Sequence, residues 1–131
     1  MDRKNFIRYQ LPVFIWALLI WLGSSIQRLP DPNTVFPHLD KIAHFFEYGV
    51  LGFLMTRSFY YHPRVSVSRR AVSLALVLGL VFASVDEFHQ LFVPGRFASL
   101  WDLAADTLGL ICAQLSFYII VIKRQARQSR F

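Results

Sequence analysis

Four stretches of the chain are apolar over about twenty residues each, at about residues 9–26, 41–61, 71–93 and 101–122, and polar or turn-forming residues gather between them. A helix rises 1.5 Å per residue and a hydrocarbon core is about 30 Å thick, so about 20 mainly apolar residues cross a membrane. The first stretch keeps an unbroken apolar run from Pro12 to Gly23 that includes Trp16 and Trp21. The second carries His44 and Glu47 near its start. The third is apolar to Val85 and is then interrupted by Asp86, Glu87, His89 and Gln90, and the fourth opens with Asp102 and Asp106. Pro30-Asp31-Pro32-Asn33 and Pro37 break the chain after the first stretch, and Pro94-Gly95 turns it after the third. The pattern predicts an all-α fold, a four-transmembrane-helix up-down bundle, as a single membrane domain over residues 1–131.

Composition excludes the main alternative. Of 131 residues, 55% are hydrophobic and only 17% charged, and a water-soluble domain of this size could not hide so much apolar surface. The net charge of +6 would raise nucleic-acid binding in a soluble protein. Its distribution argues otherwise. Arg3, Lys4 and Arg8, then Arg57, Arg64, Arg69 and Arg70, then Lys123, Arg124, Arg127 and Arg130 all fall on one side of the four-helix topology. Arg28, Lys41 and Arg96 are left on the other. The positive-inside rule then puts both termini in the cytoplasm, with a multi-pass protein of the inner, cytoplasmic membrane. The basic start, apolar run and Gly23-Ser24-Ser25 of the first stretch imitate a secretory signal. The run is long for one and the small residues are badly spaced for cleavage, so a retained anchor is expected. The lone Cys112 lies within an apolar run and is read as packing.

Seven of the eight acidic residues, all but Asp2, fall in the external loops or the external ends of the helices. A charge at membrane depth costs about 2.5–3.5 kcal/mol on insertion scales unless it faces partners or water. Asp40, His44, Glu47 and Leu51 follow one helical stripe. Asp86, His89 and Gln90 form another beside Glu87, and Asp102 and Asp106 lie four apart. Convergence of these helix ends would build a polar pocket open to the outside. Plainer roles are also expected: Asp40 as a helix N-cap, Ser99 with Asp102 as a capping box, His44 and His89 as interhelical hydrogen-bond partners, and Arg96 as a headgroup anchor.

Asp40-Lys41-x-x-His44-Phe45-x-x-Tyr48, then Glu87-x-x-Gln90-x-x-x-Pro94-Gly95-Arg96, then Asp102-x-x-x-Asp106-Thr107-Leu108-Gly109 resembles the VanZ-like membrane proteins over roughly residues 40–110. The resemblance implies a small integral membrane protein of bacteria, and its name-giving member is associated with resistance to the glycopeptide teicoplanin. Its matched positions are Asp40, Lys41, His44, Glu87, Gln90, Arg96 and Asp102. Asp106 departs from the pattern, which favours Asn there.

The leading expectation is a binding protein whose pocket of Asp40, Lys41, His44, Glu47, Glu87, His89, Gln90, Arg96, Asp102 and Asp106 holds a charged headgroup. Its partners would be membrane lipids, a lipid-linked cell-wall intermediate or a lipoglycopeptide, with no nucleic acid and with a homo-oligomer allowed. Arg and Lys would grip phosphate or carboxylate while the acids accept from hydroxyls or amines. The alternative is a membrane-surface hydrolase or transferase acting on envelope lipids through His44, Glu47, Glu87 and Asp106 as acid and base. No serine or cysteine stands beside a histidine as nucleophile. No resident metal or cofactor is expected, and a metal-dependent version would draw on His44, Glu47, His89 and an Asp. Transport fits poorly, because the inner halves of the third and fourth helices carry only Ser73, Ser84, Gln114 and Ser116 as polar breaks.

Overall fold

The computed structural model describes residues 3–27 and 39–128, with side chains after Val121 described only at Lys123. The expected breaks at Pro30-Asp31-Pro32-Asn33 and Pro37, together with Arg28, lie outside the described residues. All regular structure among the described residues is helical: α1 (Arg3–Ser24), α2 (Leu39–Tyr60), α3 (Ala71–Gln90) and α4 (Leu100–Gln128), with one further turn at Val65–Ser68 between α2 and α3.

Helix α1 begins six residues ahead of the expected start near Tyr9. No breaker precedes Pro12, whose ring and missing N–H disturb the turn before it. That turn, Phe6–Gln10, is wound as a π-helix, with Leu11 N–H donating five residues back to the Phe6 carbonyl. The wider turn accommodates the proline without ending the helix.

Among the described residues three helices are long and apolar enough to cross a membrane: Arg3–Ser24, Ala71–Gln90 and Leu100–Val121. Three of the four expected spans thus meet that measure; the fourth, α2, has the length, 22 residues, but carries Asp40, Lys41, His44, Glu47 and Arg57 and is less apolar. Helix α2 tolerates these because it is the central element, packed against α1, α3 and α4. His44, Tyr48, Leu51, Met55 and Thr56 are buried on its inner face, while Ile42, Phe46 and Val50 are exposed.

The packing inverts the order of a soluble bundle. On α3 the buried positions Ala71, Ala75, Gly79 and Ala83 recur every four residues, and Val77, Leu78, Val81 and Val85 are exposed. Between helices in lipid, small residues let backbones approach, and large apolar side chains can face the tails. Leu110 of α4 fills the space this leaves, since a Cβ on Gly52 or Gly79 would meet its side chain. Helices α2 and α4 run parallel and pack backbone against backbone at Gly49 and Gly109, where a Cβ on Gly109 would strike the Phe45 carbonyl oxygen. Helix α1 runs antiparallel to α2: Tyr9 stacks on Tyr61 at one end, with the Arg57 guanidinium over its ring, and Trp16 Nε1 donates to the Glu47 carbonyl, 2.9 Å, nearer the other.

Candidate functional site: a polar pocket at three helix ends

The start of α2, the end of α3 and the start of α4 meet at one end of the bundle. The loop between α3 and α4 is shaped by Val93-Pro94-Gly95-Arg96, in which Arg96 N–H donates to the Val93 carbonyl at 3.1 Å and Gly95 has φ 77°. This is a type II turn, with proline at its second position and glycine at the third because only glycine adopts positive φ without strain. The turn sends Arg96 back to α1, where Nη2 donates to the Gly23 carbonyl at 2.8 Å and Nε to the Ile26 carbonyl at 3.2 Å. Arg96 thus closes the exposed carbonyl end of a helix 73 residues away in sequence.

Helix α4 starts where Ser99 caps it: its Oγ accepts from Trp101 N–H at 3.2 Å and its carbonyl from Asp102 and Leu103. Asp102 does not complete a capping box with Ser99. Its Oδ1 instead accepts from Lys41 Nζ at 2.9 Å, and Asp40 Oδ2 accepts from the same ammonium at 3.2 Å. Asp40, expected as the N-cap, is instead the second residue of α2 and lies within its first turn.

Beneath Lys41 and its two carboxylates further polar groups are buried. His44 Nδ1 lies 3.0 Å from Asp106 Oδ1. Glu87 Oε2 accepts from Ser99 N–H at 2.8 Å, which ties the end of α3 to the start of α4. Asp86 Oδ2 accepts from Ser24 Oγ of α1 at 2.7 Å and, at a longer 3.4 Å, from Gln90 Nε2. Each of the three deep carboxylates keeps a second oxygen, Asp86 Oδ1, Glu87 Oε1 and Asp106 Oδ2, that is buried without a hydrogen-bond partner among the described residues. A buried acceptor left this way costs about 1–3 kcal/mol, so three of them at one end of a small bundle mark a site built for something other than stability.

A cavity of about 200 Å³ opens here, lined by Asp40, Lys41, His44, Gln90, Arg96 and Asp102 together with Ser99 and the Gly95–Phe97 turn. Six of the residues expected at a pocket therefore line one cavity. Glu87 and Asp106 are buried beside His44, with ligand-capable atoms of the three within 4.8 Å of one another. Glu47 and His89 do not line the cavity. Both are half-buried. His89 stacks on Trp21 of α1 with ring centres 4.2 Å apart, and the backbone carbonyl of Glu47 takes the Trp16 hydrogen bond. A spacing of three places Glu47 about 60° around the helix from His44, enough to face a different neighbour.

Sequence reasoning missed Asp86 as a site residue although its spacing of four to Gln90 was visible, and it missed Ser24, which signalled nothing but small size. Asp86 is fully buried and continues the stripe of small residues on α3, one turn beyond Ala83.

The family description VanZ/LLP1 matches residues 3–121. The chain belongs to the VanZ/LLP1 family. A relative is found in fission yeast: an uncharacterized protein of Schizosaccharomyces pombe is 34% identical over 123 residues, covering 92% of this chain and 68% of that protein. The resemblance first visible at residues 40–110 thus extends over nearly the whole chain, and similar sequence occurs outside bacteria, in fission yeast. No solved structure matches the chain.

Proposed function

We propose that this VanZ/LLP1 protein is a multi-pass protein of the cytoplasmic membrane that holds the charged headgroup of an envelope lipid, glycolipid or lipoglycopeptide in the polar cavity at the ends of α2, α3 and α4. Tolerance to teicoplanin is one consequence of that binding in a sensitive host. The observation that carries the reading is the meeting of Asp40, Lys41, His44, Gln90, Arg96 and Asp102, from three helix ends and one loop, on a single small cavity. Its volume, about 200 Å³, is below the roughly 300 Å³ at which pockets begin to take drug-sized molecules. It suits a headgroup and not a whole glycopeptide. Exposed Phe46 of α2 and Phe88, Leu91 and Phe92 of α3 and its following turn offer apolar surface for the chains of such a lipid. The yeast relative favours a chemistry common to many membranes, a phosphate or amine headgroup, over a cell-wall intermediate. The side assignment, cavity outside and termini inside, rests on the basic residues gathered at the opposite end of the bundle.

A second reading has its own observation. The buried contact of His44 with Asp106, next to Glu87, is an arrangement able to move a proton, which suits a hydrolase or transferase acting on the same headgroup. Turnover separates the two: a lipid that co-purifies unchanged after incubation supports binding, and its conversion to a cleaved or transferred product supports catalysis.

The test in cells compares teicoplanin susceptibility of a sensitive Gram-positive host making the wild type, Lys41→Met or Glu87→Gln at matched membrane levels. Raised tolerance with the wild type and its loss in both variants are expected. Equal tolerance in all three strains would put the function outside the cavity, and no tolerance with the wild type would remove the drug from the proposal.

A further inference from the structure

We propose that His44, Glu87 and Asp106 form a binding site for a divalent transition-metal ion, with zinc the best match, at the floor of the polar cavity. The residues come from three different helices, α2, α3 and α4, and all three are buried. Their ligand-capable atoms lie within 4.8 Å of one another. Two ligands of a tetrahedral zinc ion at about 2.0–2.1 Å stand about 3.4 Å apart, so ligand atoms up to 4.8 Å apart close on an ion when each of the two side chains moves by about 0.7 Å.

The second observation is what each carboxylate does with its two oxygens. Glu87 Oε2 is held by the Ser99 N–H and Asp106 Oδ1 by His44, while Glu87 Oε1 and Asp106 Oδ2 are buried and have no hydrogen-bond partner among the described residues. Metal-ligating carboxylates are themselves oriented by hydrogen bonds of this kind. A proton shared between His44 and Asp106 would serve that pair alone and leave the free oxygen of Glu87 as it is. A cation among the three residues serves every group.

The donor set selects the ion. One imidazole with two carboxylates suits zinc and its first-row neighbours, whereas calcium and magnesium take all-oxygen shells. Three protein ligands leave a further coordination position, and the neighbouring space is the cavity lined by His44, Gln90 and Asp102. Around it Asp40, Asp86, Glu87, Asp102 and Asp106 outnumber Lys41 and Arg96, so the field of the site attracts a cation. This site differs from the set suggested by sequence spacing: His89 stacks on Trp21 of α1, and the clustered ligand atoms come from Glu87 and not from Glu47. It stands apart from headgroup binding and is assayed without any lipid.

The test uses the full chain in detergent, stripped with a chelator and titrated with Zn²⁺ alone, then with Co²⁺ as a spectroscopic probe. About one equivalent of Zn²⁺ per chain is expected, with visible Co²⁺ bands that Zn²⁺ displaces. Glu87→Gln and Asp106→Asn should each weaken Zn²⁺ binding by about tenfold or more. Cys112→Ser, which removes the exposed thiol of α4, should bind as the wild type does. Circular dichroism checks that the variants are folded, and where one is not, the wild-type Co²⁺ spectrum decides. Absence of stoichiometric Zn²⁺ uptake, a wild-type chain with no Co²⁺ bands, equal affinity in the two carboxylate variants and the wild type, or loss of binding in Cys112→Ser would overturn the proposal.

Discussion

His44 Nδ1 and Asp106 Oδ1 stand 3.0 Å apart across the seam of α2 and α4, with the Asp106 side chain fully buried. The same seam brings Gly49 and Gly109 backbone to backbone one turn further along. The polar pair and the glycine contact therefore fix one register between two parallel helices, and that register sets the distance from Lys41 to Asp102 at the mouth of the cavity.

Asp106→Ala leaves His44 without its partner. In lipid an interhelical polar contact is worth about 0.6 kcal/mol on average and about 2 at most, because the separated helices also find partners. A loss of about 1–2 kcal/mol is expected, with Asp106→Asn costing less than half of that because its carbonyl oxygen still faces His44. Unfolding in a graded detergent mixture, followed by circular dichroism, measures both. An alanine variant as stable as the asparagine variant would show that the contact contributes nothing.

Glycine substitutions should separate sharply by position. A Cβ on Gly109 meets the Phe45 carbonyl oxygen and lies 2.9 Å from Gly49 N, neither of which can yield without parting the helices. Gly109→Ala should cost about 1–3 kcal/mol, as overpacking does. A methyl group added at Gly23 meets nothing within 4 Å, so Gly23→Ala should be neutral or stabilising by up to about 1 kcal/mol. Melting temperatures of the two variants in one detergent check the order, and a reversed order would contradict the packing described.

Arg96→Lys keeps the charge but loses the planar fork that reaches two carbonyls at once. The last turn of α1 should then exchange its amide hydrogens faster, with the effect confined to peptides covering residues 21–27. Arg96→Ala should show the same local change. Unchanged exchange in both would mean that Arg96 does not hold α1.

Membrane sidedness has a direct readout. In a Cys112→Ser background, Phe97→Cys, at a position 84% exposed beside the cavity, should react with a membrane-impermeant maleimide on intact cells. Arg64→Cys, at the basic end, should react only after the cells are opened. The opposite pattern would invert the topology.

The sequence made legible what depends on a single helix. Apolar runs marked α1, α3 and α4, Pro94-Gly95 marked the turn, and helical spacing put Asp40 with His44 and Asp102 with Asp106 on shared faces. It could not show which neighbour a face meets. Nearness in sequence groups Glu47 and His89 with the pocket residues, yet neither lines the cavity and His89 stacks on Trp21 of α1. Ser24 and Asp86, 62 residues apart, meet only through the packing of α1 on α3. The polar character of α2 was plain, but its central position, which makes that polarity tolerable, is a property of the bundle.

The most direct test of headgroup binding is native mass spectrometry of the wild type and Lys41→Met released from the same detergent. Lys41 is about one-third exposed, so its ion pair with Asp102 contributes about 1 kcal/mol or less and the variant should fold. One charge-assisted contact to a headgroup is worth about tenfold in affinity. The wild type should carry one lipid of defined mass, with occupancy about tenfold lower in Lys41→Met. Equal occupancy in the two proteins, or a wild type that emerges free of lipid, would contradict the account.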